Sequence, residues 1–216
     1  MRLETMTDFF TARVDAYDRH MLEEVEGCRE GYERMAALLP DGISDLLDLG
    51  CGTGLELGPI FRRFPALRVT GIDLTQAMLD RLRAKFPGKA LRLVCGSYLD
   101  VPFGERDFDA AVSFQTLHHL HPKAKIGLYR RLHRALRDGG VYLECDYMVT
   151  EQAEEDFYFA ENARLRRQAN LPDGVFAHYD TPCTLDHQRA MLEEAGFSAV
   201  ALVWRRENTT LLAAKK

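Results

Sequence analysis

Short apolar runs alternate along the chain with longer stretches in which apolar residues recur every three or four positions. Five of the short runs have the length and composition of buried strands. They span residues 45–49, 68–73, 90–95, 108–114 and 140–146. Strands that alternate with helix-periodic stretches are typical of βαβ units around a parallel sheet. The pattern therefore predicts an α/β protein with a doubly wound, mostly parallel sheet.

Two further apolar runs, at 198–204 and 208–214, lie near the end of the chain. Only Arg205, Arg206 and Glu207 separate them. Because this connection is too short for a crossover helix, we expect the two runs to pair as an antiparallel hairpin.

Helix signals stand between the predicted strands. One helix is expected after Thr75, and another after Pro122, where the apolar rhythm continues to Leu136 before Gly139-Gly140 ends it. Thr184 is expected to cap a third helix.

Two segments fall outside this alternation. Residues 1–40 have helical periodicity, whereas residues 151–182 begin with acidic residues, continue with Phe157-Tyr158-Phe159 and end in a loop. Insertions of this kind usually form a lid or wall over a site. We therefore predict one domain over residues 1–216, with a helical cap (1–40), a cofactor-binding core (41–150 and 183–216) and a lid (151–182).

The composition narrows the choice of partners and compartment. Lys and Arg number 28 against 33 Asp and Glu, giving a net charge of −5, which disfavours nucleic acid as a partner. The longest purely apolar run, 199–204, is far shorter than the ~20 residues of a membrane span. The five cysteines form no C-x-x-C pair, and no apolar signal run follows the N-terminus, so we expect a cytoplasmic protein. For the oligomeric state we expect a monomer or a homodimer.

The most informative segment is residues 48–56, Asp-Leu-Gly-Cys-Gly-Thr-Gly-Leu-Glu, which follows the first predicted strand. Its glycines allow sharp turns and close approach of a ligand to the main chain. Asp48 repels a pyrophosphate but suits an ammonium or sulfonium group. Asp73, at the end of the second strand, is placed to accept the hydroxyls of a ribose.

Three further residues of the glycine loop bear on this interpretation. Leu55 stands where the dinucleotide fingerprint requires its third glycine, which disfavours a nicotinamide-dependent dehydrogenase. Thr53 and Glu56 match the spacing of a helix capping box, so a helix is expected to begin at Thr53.

These segments together resemble the class I S-adenosylmethionine-dependent methyltransferases. The resemblance lies in Leu46–Gly54, Gly71–Leu74 with Met78-Leu79, Phe108–Ser113, Leu117–Leu120 and Leu136–Gly140, and Tyr17-Asp18 resembles the family's lead-in. It implies a Rossmann-like fold with a seven-stranded sheet and an antiparallel last strand, in agreement with the predicted hairpin. It also implies S-adenosyl-L-methionine as the cofactor.

Site residues follow from the resemblance position by position. The methionine moiety is expected near Asp48, Gly50, Gly52 and Gly54, the ribose at Asp73, the adenine near Leu74, Met78, Gly96, Ser97 and Tyr98, and the amino-acid end near Gln115. Tyr17 and Thr53 are also expected to bind the cofactor. Ser97 stands where many relatives have Asp, so either Ser97 or Asp100 is expected to contact the adenine amino group.

The catalytic residues are not fixed by the sequence. Methyl transfer from a sulfonium is an in-line displacement to which positioning contributes on the order of 7–11 kcal/mol in favourable cases, and a base is needed only if the acceptor loses a proton. Candidates are His118, His119, Tyr147 and His178, each of which also has a packing interpretation. No metal site is predicted, because no cysteine or paired carboxylate is close in sequence and adjacent histidines are expected to point in different directions.

The expected function is methyl transfer to a small-molecule acceptor at O, N or C. The N/D-P-P-Y/F/W motif of the base-amine methylating branches is missing from the sequence, which together with the acidic charge favours a small acceptor. Two alternatives stay open: an enzyme that modifies the methyl group of the cofactor, and a cofactor-binding module without catalysis.

Overall fold

The computed structural model describes residues 3–172 and 174–216, so Asp173 of the predicted lid loop lies outside the described residues. These described residues contain seven strands, each at the place where an apolar run predicts one. Their bounds are Asp45–Leu49 (β1), Arg68–Asp73 (β2), Ala90–Cys95 (β3), Phe108–Phe114 (β4), Leu136–Tyr147 (β5), Ser198–Arg206 (β6) and Thr209–Lys215 (β7).

The strands form one sheet in the order β3-β2-β1-β4-β5-β7-β6. Strands β1 to β5 pair in parallel, and β7 pairs antiparallel with both β5 and β6. The predicted doubly wound, mostly parallel sheet and its C-terminal hairpin are therefore confirmed. Since β1 has β2 on one side and β4 on the other, the strand order reverses at β1, and ligands of open α/β sheets bind outside the strand ends at such a point.

Helices cover both faces of this sheet. They are Met6–Arg13 (α1), Tyr17–Glu23 (α2), Cys28–Leu38 (α3), Leu57–Arg63 (α4), Gln76–Lys85 (α5), Pro122–Ala135 (α6), Gln152–Gln168 (α7) and Leu185–Glu194 (α8), with a 3-10 turn at Leu117–His119. The cap predicted for α8 is confirmed, because Oγ1 of Thr184 accepts a hydrogen bond from the N–H of His187.

Two predicted helix boundaries are wrong. Helix α6 ends at Ala135, because Leu136 pairs with Phe108 in the sheet and Gly139-Gly140 lie within β5. The predicted capping box is not formed either: Glu56 itself is the N-cap of α4, and the hydroxyl of Thr53 donates instead to Asp18.

The core consists of one apolar layer on each face of the sheet. Met35 of α3 and Ile60 of α4 lie in one layer, and Leu132 of α6 and Leu192 of α8 lie in the other. All four are fully buried, and burying such a side chain stabilises the fold by roughly 1.5–3 kcal/mol. In the described ranges, no helix is long and apolar enough to cross a membrane.

The N-terminal segment and the insertion are joined over one end of the sheet. The N–H of Met6 donates to the carbonyl of Phe176 at 3.0 Å, and the N–H of His178 donates to the carbonyl of Glu4 at 2.9 Å. Helix α1 is therefore tied to the segment that follows α7, and both lie over the carboxyl ends of the central strands.

Candidate cofactor and acceptor site

The loop after β1 has a backbone that only glycine adopts without strain. Gly50 has a φ of +66°, and a Cβ at this position would lie 2.3 Å from Oγ1 of Thr116. Gly52 has a φ of +47°, and its N–H donates to Oδ2 of Asp73 at 2.9 Å. The loop is thereby fixed against the end of β2 with its main chain open to a ligand.

Asp73 is held in place by its neighbours at the end of β2. Its Oδ1 accepts from the N–H of Thr75 at 2.9 Å and from Oγ1 of Thr75 at 2.8 Å. Burial raises the pKa of the Asp73 carboxyl, and the hydrogen bonds from Thr75 and Gly52 oppose that shift. An ionised carboxylate accepts about four hydrogen bonds, so Asp73 keeps capacity for a ligand hydroxyl.

Two buried carboxyl groups lie beneath the glycine loop. Neither oxygen of Asp48 and not Oε1 of Glu56 accepts a hydrogen bond from any other kind of group among the described residues, and the two carboxyl groups are hydrogen-bonded to each other. Burial, and then the charge of Glu56, raise the pKa of Asp48 well above its usual range, and burial raises the pKa of Glu56 to about 7. Because two ionised carboxylates are unfavourable when they are buried together, a cationic group of a ligand near the glycine loop would stabilise their ionised forms.

The ends of β1, β2 and β4 surround a narrow cleft of about 40 Å³. Eight of the thirteen residues predicted for the cofactor line it, namely Tyr17, Gly50, Gly52, Asp73, Leu74, Met78, Tyr98 and Gln115. These residues come from five separate parts of the chain. The structure therefore brings together most of the set that the resemblance implies.

Asp48, whose place beneath the loop is described above, does not line the cleft. Thr53 and Gly54 lie on the far side of the loop. Oγ1 of Thr53 donates to Oδ1 of Asp18 at 2.5 Å and accepts from Nζ of Lys85 at 2.9 Å. A Cβ on Gly54 would lie 2.9 Å from Cγ of Leu82. These residues therefore fix the loop against α2 and α5 and do not line the cleft.

Gly96 and Ser97 form the turn after β3. The N–H of Gly96 donates to the carbonyl of Asp73 at 2.8 Å. Oγ of Ser97 accepts from the N–H of Leu99 at 3.1 Å, and the N–H of Asp100 donates to the carbonyl of Ser97 at 2.9 Å. The Ser97 hydroxyl is thus used within its own turn.

Apolar side chains that the sequence did not single out cover the cleft. Met6 and Phe10 of α1 and Phe176 of the following insertion line it together with the predicted residues. Sites for drug-sized ligands measure about 300–1,000 Å³, so a cleft of 40 Å³ is small for a nucleoside, and we expect this cover to move when one binds. The only sequence signal for this apolar cover was the pair of adjacent phenylalanines in α1, Phe9 and Phe10.

A second cavity of about 850 Å³ adjoins the cleft. Phe10, Tyr17 and Gln115 line both spaces, so the two adjoin at these residues. Gln115 has a φ of +47°, and its Nε2 donates to Oγ1 of Thr209 at 3.2 Å. A strained backbone at a non-glycine residue is typical of functional positions.

All four predicted catalytic candidates line this larger cavity: His118, His119, Tyr147 and His178. The hydroxyl of Tyr147 lies 2.8 Å from the hydroxyl of Tyr158 on α7. The ring of His178 stacks on Phe9 with the ring centres 3.5 Å apart. Phe157, which neighbours Tyr158, is 61% exposed.

His118 is paired with a buried carboxylate. Its Nδ1 lies 2.5 Å from Oδ1 of Asp146, whose Oδ2 accepts from the N–H of Leu117 at 2.9 Å. Burial lowers the pKa of His118, but the carboxylates of Asp146 and Asp180 outweigh that effect and leave the pKa raised. Burial raises the pKa of Asp146, but the charge of His118 outweighs it and leaves the pKa lowered.

His119 and Asp180 form a second pair next to the first. Nδ1 of His119 lies 3.2 Å from Oδ1 of Asp180, and Nε2 of His118 lies 3.7 Å from the same oxygen. Burial, and then the charge of His118, lower the pKa of His119 to about 4. The expectation that the adjacent histidines point in different directions is therefore wrong, because both rings approach one carboxylate oxygen.

Comparison with known proteins identifies the family of the chain. Residues 46–140 match the family model described as a methyltransferase domain. The chain is 31% identical over 192 residues to a carboxy-S-adenosyl-L-methionine synthase of Wolinella succinogenes, covering 83% of this chain and 79% of that protein. It is 27% identical over 156 residues to a sterol 24-C-methyltransferase of Gibberella zeae, covering 70% of this chain but only 39% of that enzyme.

The fold has close counterparts among solved structures. An S-adenosylmethionine-dependent methyltransferase from Mesorhizobium loti superposes with a TM-score of 0.63 at 20% identity, covering 88% of this chain and 99% of that chain. The fold and the glycine loop thus define a Rossmann-like, cofactor-binding α/β protein. The chain belongs to the class I S-adenosylmethionine-dependent methyltransferases, the family whose cofactor is S-adenosyl-L-methionine.

Proposed function

We propose that this protein transfers the methyl group of S-adenosylmethionine to an O, N or C atom of a small molecule bound in the 850 Å³ cavity. The observation that carries this proposal is that Phe10, Tyr17 and Gln115 line both the cavity and the cleft at the strand ends. A methyl donor in the cleft and an acceptor in the cavity would lie next to each other at these shared residues, which suits an in-line displacement.

The residues of the cleft fit the proposed cofactor. Asp73 would bind the ribose hydroxyls, and the carboxyl groups of Asp48 and Glu56, buried beneath the glycine loop, would act on the ammonium group of the methionine moiety through their charge. Gly50 and Gly52 leave the main chain accessible, because neither presents a Cβ to the ligand. When bound, the cofactor supplies a sulfonium methyl group with a good leaving group, so that positioning by the protein can supply much of the rate.

The larger cavity fits a small acceptor better than a polymer. Its volume lies within the ~300–1,000 Å³ of sites for drug-sized ligands. Its lining includes residues of α1, α2 and the 3-10 turn together with His178 and Asp180. The acceptor would therefore lie between the N-terminal segment and the insertion. We accordingly propose one domain in which residues 1–40 are a cap, residues 151–182 are a lid, and 41–150 with 183–216 are the core.

A second function is favoured by one comparison. The similarity to the Wolinella succinogenes carboxy-S-adenosyl-L-methionine synthase extends over most of both chains. The same cavity could therefore hold a reagent that carboxylates the methyl group of the cofactor. Mass spectrometry separates the two reactions, since methyl transfer yields S-adenosylhomocysteine and a methylated acceptor, whereas the alternative yields a carboxylated cofactor.

The experiment that tests the proposal is an acceptor screen. The protein is incubated with methyl-labelled S-adenosylmethionine and sets of phenols, amines, carboxylic acids and enols, and the label is traced by mass spectrometry. The proposal expects the label in an acceptor together with stoichiometric S-adenosylhomocysteine. A carboxylated cofactor would contradict it in favour of the second function. Cofactor binding without any turnover across the screen would contradict it in favour of a binding module.

A further inference from the structure

Three donor side chains converge on one wall of the 850 Å³ cavity. His118, His119 and Asp180 each bring one ligand atom within 4.8 Å of the other two. Oδ1 of Asp180 lies 3.7 Å from Nε2 of His118 and 3.2 Å from Nδ1 of His119. Ligands bound at 2.0–2.2 Å in a tetrahedron are spaced about 3.4 Å apart, which both distances to Asp180 approach.

The first histidine is oriented from behind. Nδ1 of His118 faces Oδ1 of Asp146, whose oxygens also accept from the N–H groups of Leu117 and Tyr147 at 2.9 Å. Because Asp146 accepts the Nδ1 proton, the lone pair of Nε2 is left on the side of Asp180. A carboxylate that fixes the tautomer of a histidine in this way is the usual outer partner of a metal-bound imidazole.

The carboxylate ligand is fixed relative to both histidines. Thr181 follows Asp180, and both its N–H and its Oγ1 donate to the carbonyl of His118, at 2.7 and 3.0 Å. These two hydrogen bonds join the loop carrying Asp180 to the 3-10 turn carrying the histidines. The side chain of Asp180 remains 40% exposed and so can adjust on binding an ion.

We propose that His118, His119 and Asp180 bind a divalent transition-metal ion on the wall of the cavity. Two imidazoles and a carboxylate are a donor set of zinc and non-haem iron sites that leave positions open for a substrate. Asp146 and Asp180 supply two negative charges in the immediate surroundings, which balance the charge of a dication.

The role of the ion rests on the proposed function, although its binding does not. All three ligands line the acceptor cavity, so the open positions would take an oxygen donor, such as the hydroxyl of an alcohol or phenol. A bound cation lowers the pKa of such a hydroxyl. Its O–H bond would break with release of the proton to solvent, the O–CH3 bond would form, and the S–CH3 bond would break to give S-adenosylhomocysteine.

A second group of donors provides an internal comparison. Glu155, Cys183 and His187 also bring three ligand atoms within 4.8 Å of one another. Nζ of Lys125, however, lies 3.7 Å from Sγ of Cys183. An ammonium group this close opposes a dication, so we expect the ion at His118, His119 and Asp180 only.

Metal binding is tested on the full-length protein with Zn²⁺ and Co²⁺ in the absence of cofactor and acceptor. Calorimetry with Zn²⁺ is run on the wild type, His119→Gln, Asp180→Asn and two controls, His121→Gln and His187→Gln. His121 is an exposed neighbour outside the cluster, and His187 belongs to the second group. The visible spectrum of the Co²⁺ protein reports the coordination geometry, and thermal unfolding confirms that each variant is folded.

The expected result is one Zn²⁺ per wild-type chain, with affinity at least tenfold weaker in His119→Gln and Asp180→Asn and unchanged in both controls. The Co²⁺ protein is expected to show the intense bands of a four- or five-coordinate ion, lost in Asp180→Asn. The proposal is overturned if the wild type binds no Zn²⁺, if both cluster variants bind it as tightly as the wild type, or if only His187→Gln loses it. A methyltransferase that binds no metal would leave the proposed function standing and remove only this site.

Discussion

The N–H of Gly52 donates a 2.9 Å hydrogen bond to Oδ2 of Asp73 and so joins the glycine loop to the end of β2. One carboxylate thus fixes the loop and remains accessible in the cleft. This relationship places the main chain that would approach the methionine moiety next to the group that would bind the ribose.

Replacement of Asp73 by Asn is expected to weaken the binding of S-adenosylhomocysteine about 10–100-fold, because hydrogen bonds to a charged group contribute about 1.5–3 kcal/mol. Asn keeps the size of the side chain, but its amide nitrogen cannot accept the hydrogen bond from Gly52 or from Thr75. Thermal unfolding of the variant is therefore measured beside the affinity, to separate loss of the loop from loss of the ribose contact. Calorimetry gives the dissociation constant. Asp80→Asn, at an exposed position of α5, is the matched control, and equal affinities of the two variants would contradict the role given to Asp73.

Cofactor affinity is expected to rise with pH between about 6 and 8. Burial raises the pKa of Glu56 to about 7 in the ligand-free protein, and an ammonium group beside the carboxylates favours the ionised form. Binding near neutral pH should therefore release a proton, which calorimetry detects in buffers of different ionisation enthalpy. In Glu56→Gln the pH dependence should flatten, and a steep dependence in that variant would assign it to another group.

The Glu56 carboxyl group also makes the stability of the ligand-free protein depend on pH, but stability falls as the pH rises, whereas cofactor affinity increases. Its folded pKa of about 7 exceeds the ordinary value of 4.5, so the folded state binds the proton more tightly than the unfolded state. The contribution of protonated Glu56 to the free energy of unfolding is fully present below pH 4.5 and is lost as the pH rises through 7. Denaturant unfolding should show Glu56→Gln gaining stability relative to the wild type over this range, and a constant difference would contradict the assignment.

Opening of the cover is expected to limit the rate of cofactor binding. Phe176 lines the 40 Å³ cleft, so Phe176→Ala should raise the association rate of S-adenosylhomocysteine several-fold by increasing the fraction of open protein. Stopped-flow fluorescence measures the rate. Phe157→Ala removes an aromatic ring that is 61% exposed on α7 and serves as control. Unchanged association in Phe176→Ala would show that the cover does not gate the cleft.

Gly50→Ala should destabilise the protein more than Gly88→Ala. Both residues have a positive φ, +66° and +80°, which costs a non-glycine residue on the order of 1 kcal/mol. A Cβ at Gly50 also meets Thr116 at 2.3 Å, whereas nothing lies within 4 Å of one at Gly88. Overpacking adds about 1–3 kcal/mol, measurable by urea unfolding. Similar losses in both variants would contradict the close packing of Gly50 on Thr116.

The sheet was predictable because each strand coincides with a short apolar run, and most residues of the inner strands β1, β4 and β7 are buried. Leu46 and Leu47 of β1 are fully buried, as a strand covered on both faces requires. The positions of the glycine loop and Asp73 were predictable for a related reason: the loop begins directly after β1, and Asp73 is the last residue of β2. The end of α6 was not, because Leu136 continues the helical rhythm although pairing with Phe108 draws it into β5.

The remainder of the site depends on contacts between distant segments. Asp180 meets His118 and His119 only because Thr181 is hydrogen-bonded to the carbonyl of His118. Similarly, the cover over the cleft forms where Met6 is hydrogen-bonded to Phe176. Neither pairing has a local sequence signal, so the histidines could be selected as candidates but their carboxylate partner could not.

The central claim is that this chain binds S-adenosylmethionine at the ends of β1, β2 and β4, and calorimetry tests it most directly. The account predicts one site per chain for S-adenosylmethionine and for S-adenosylhomocysteine, with dissociation constants on the order of micromolar, or about −8 kcal/mol. It predicts no binding of NAD under the same conditions. Binding of NAD with none of either sulfur compound would contradict the account.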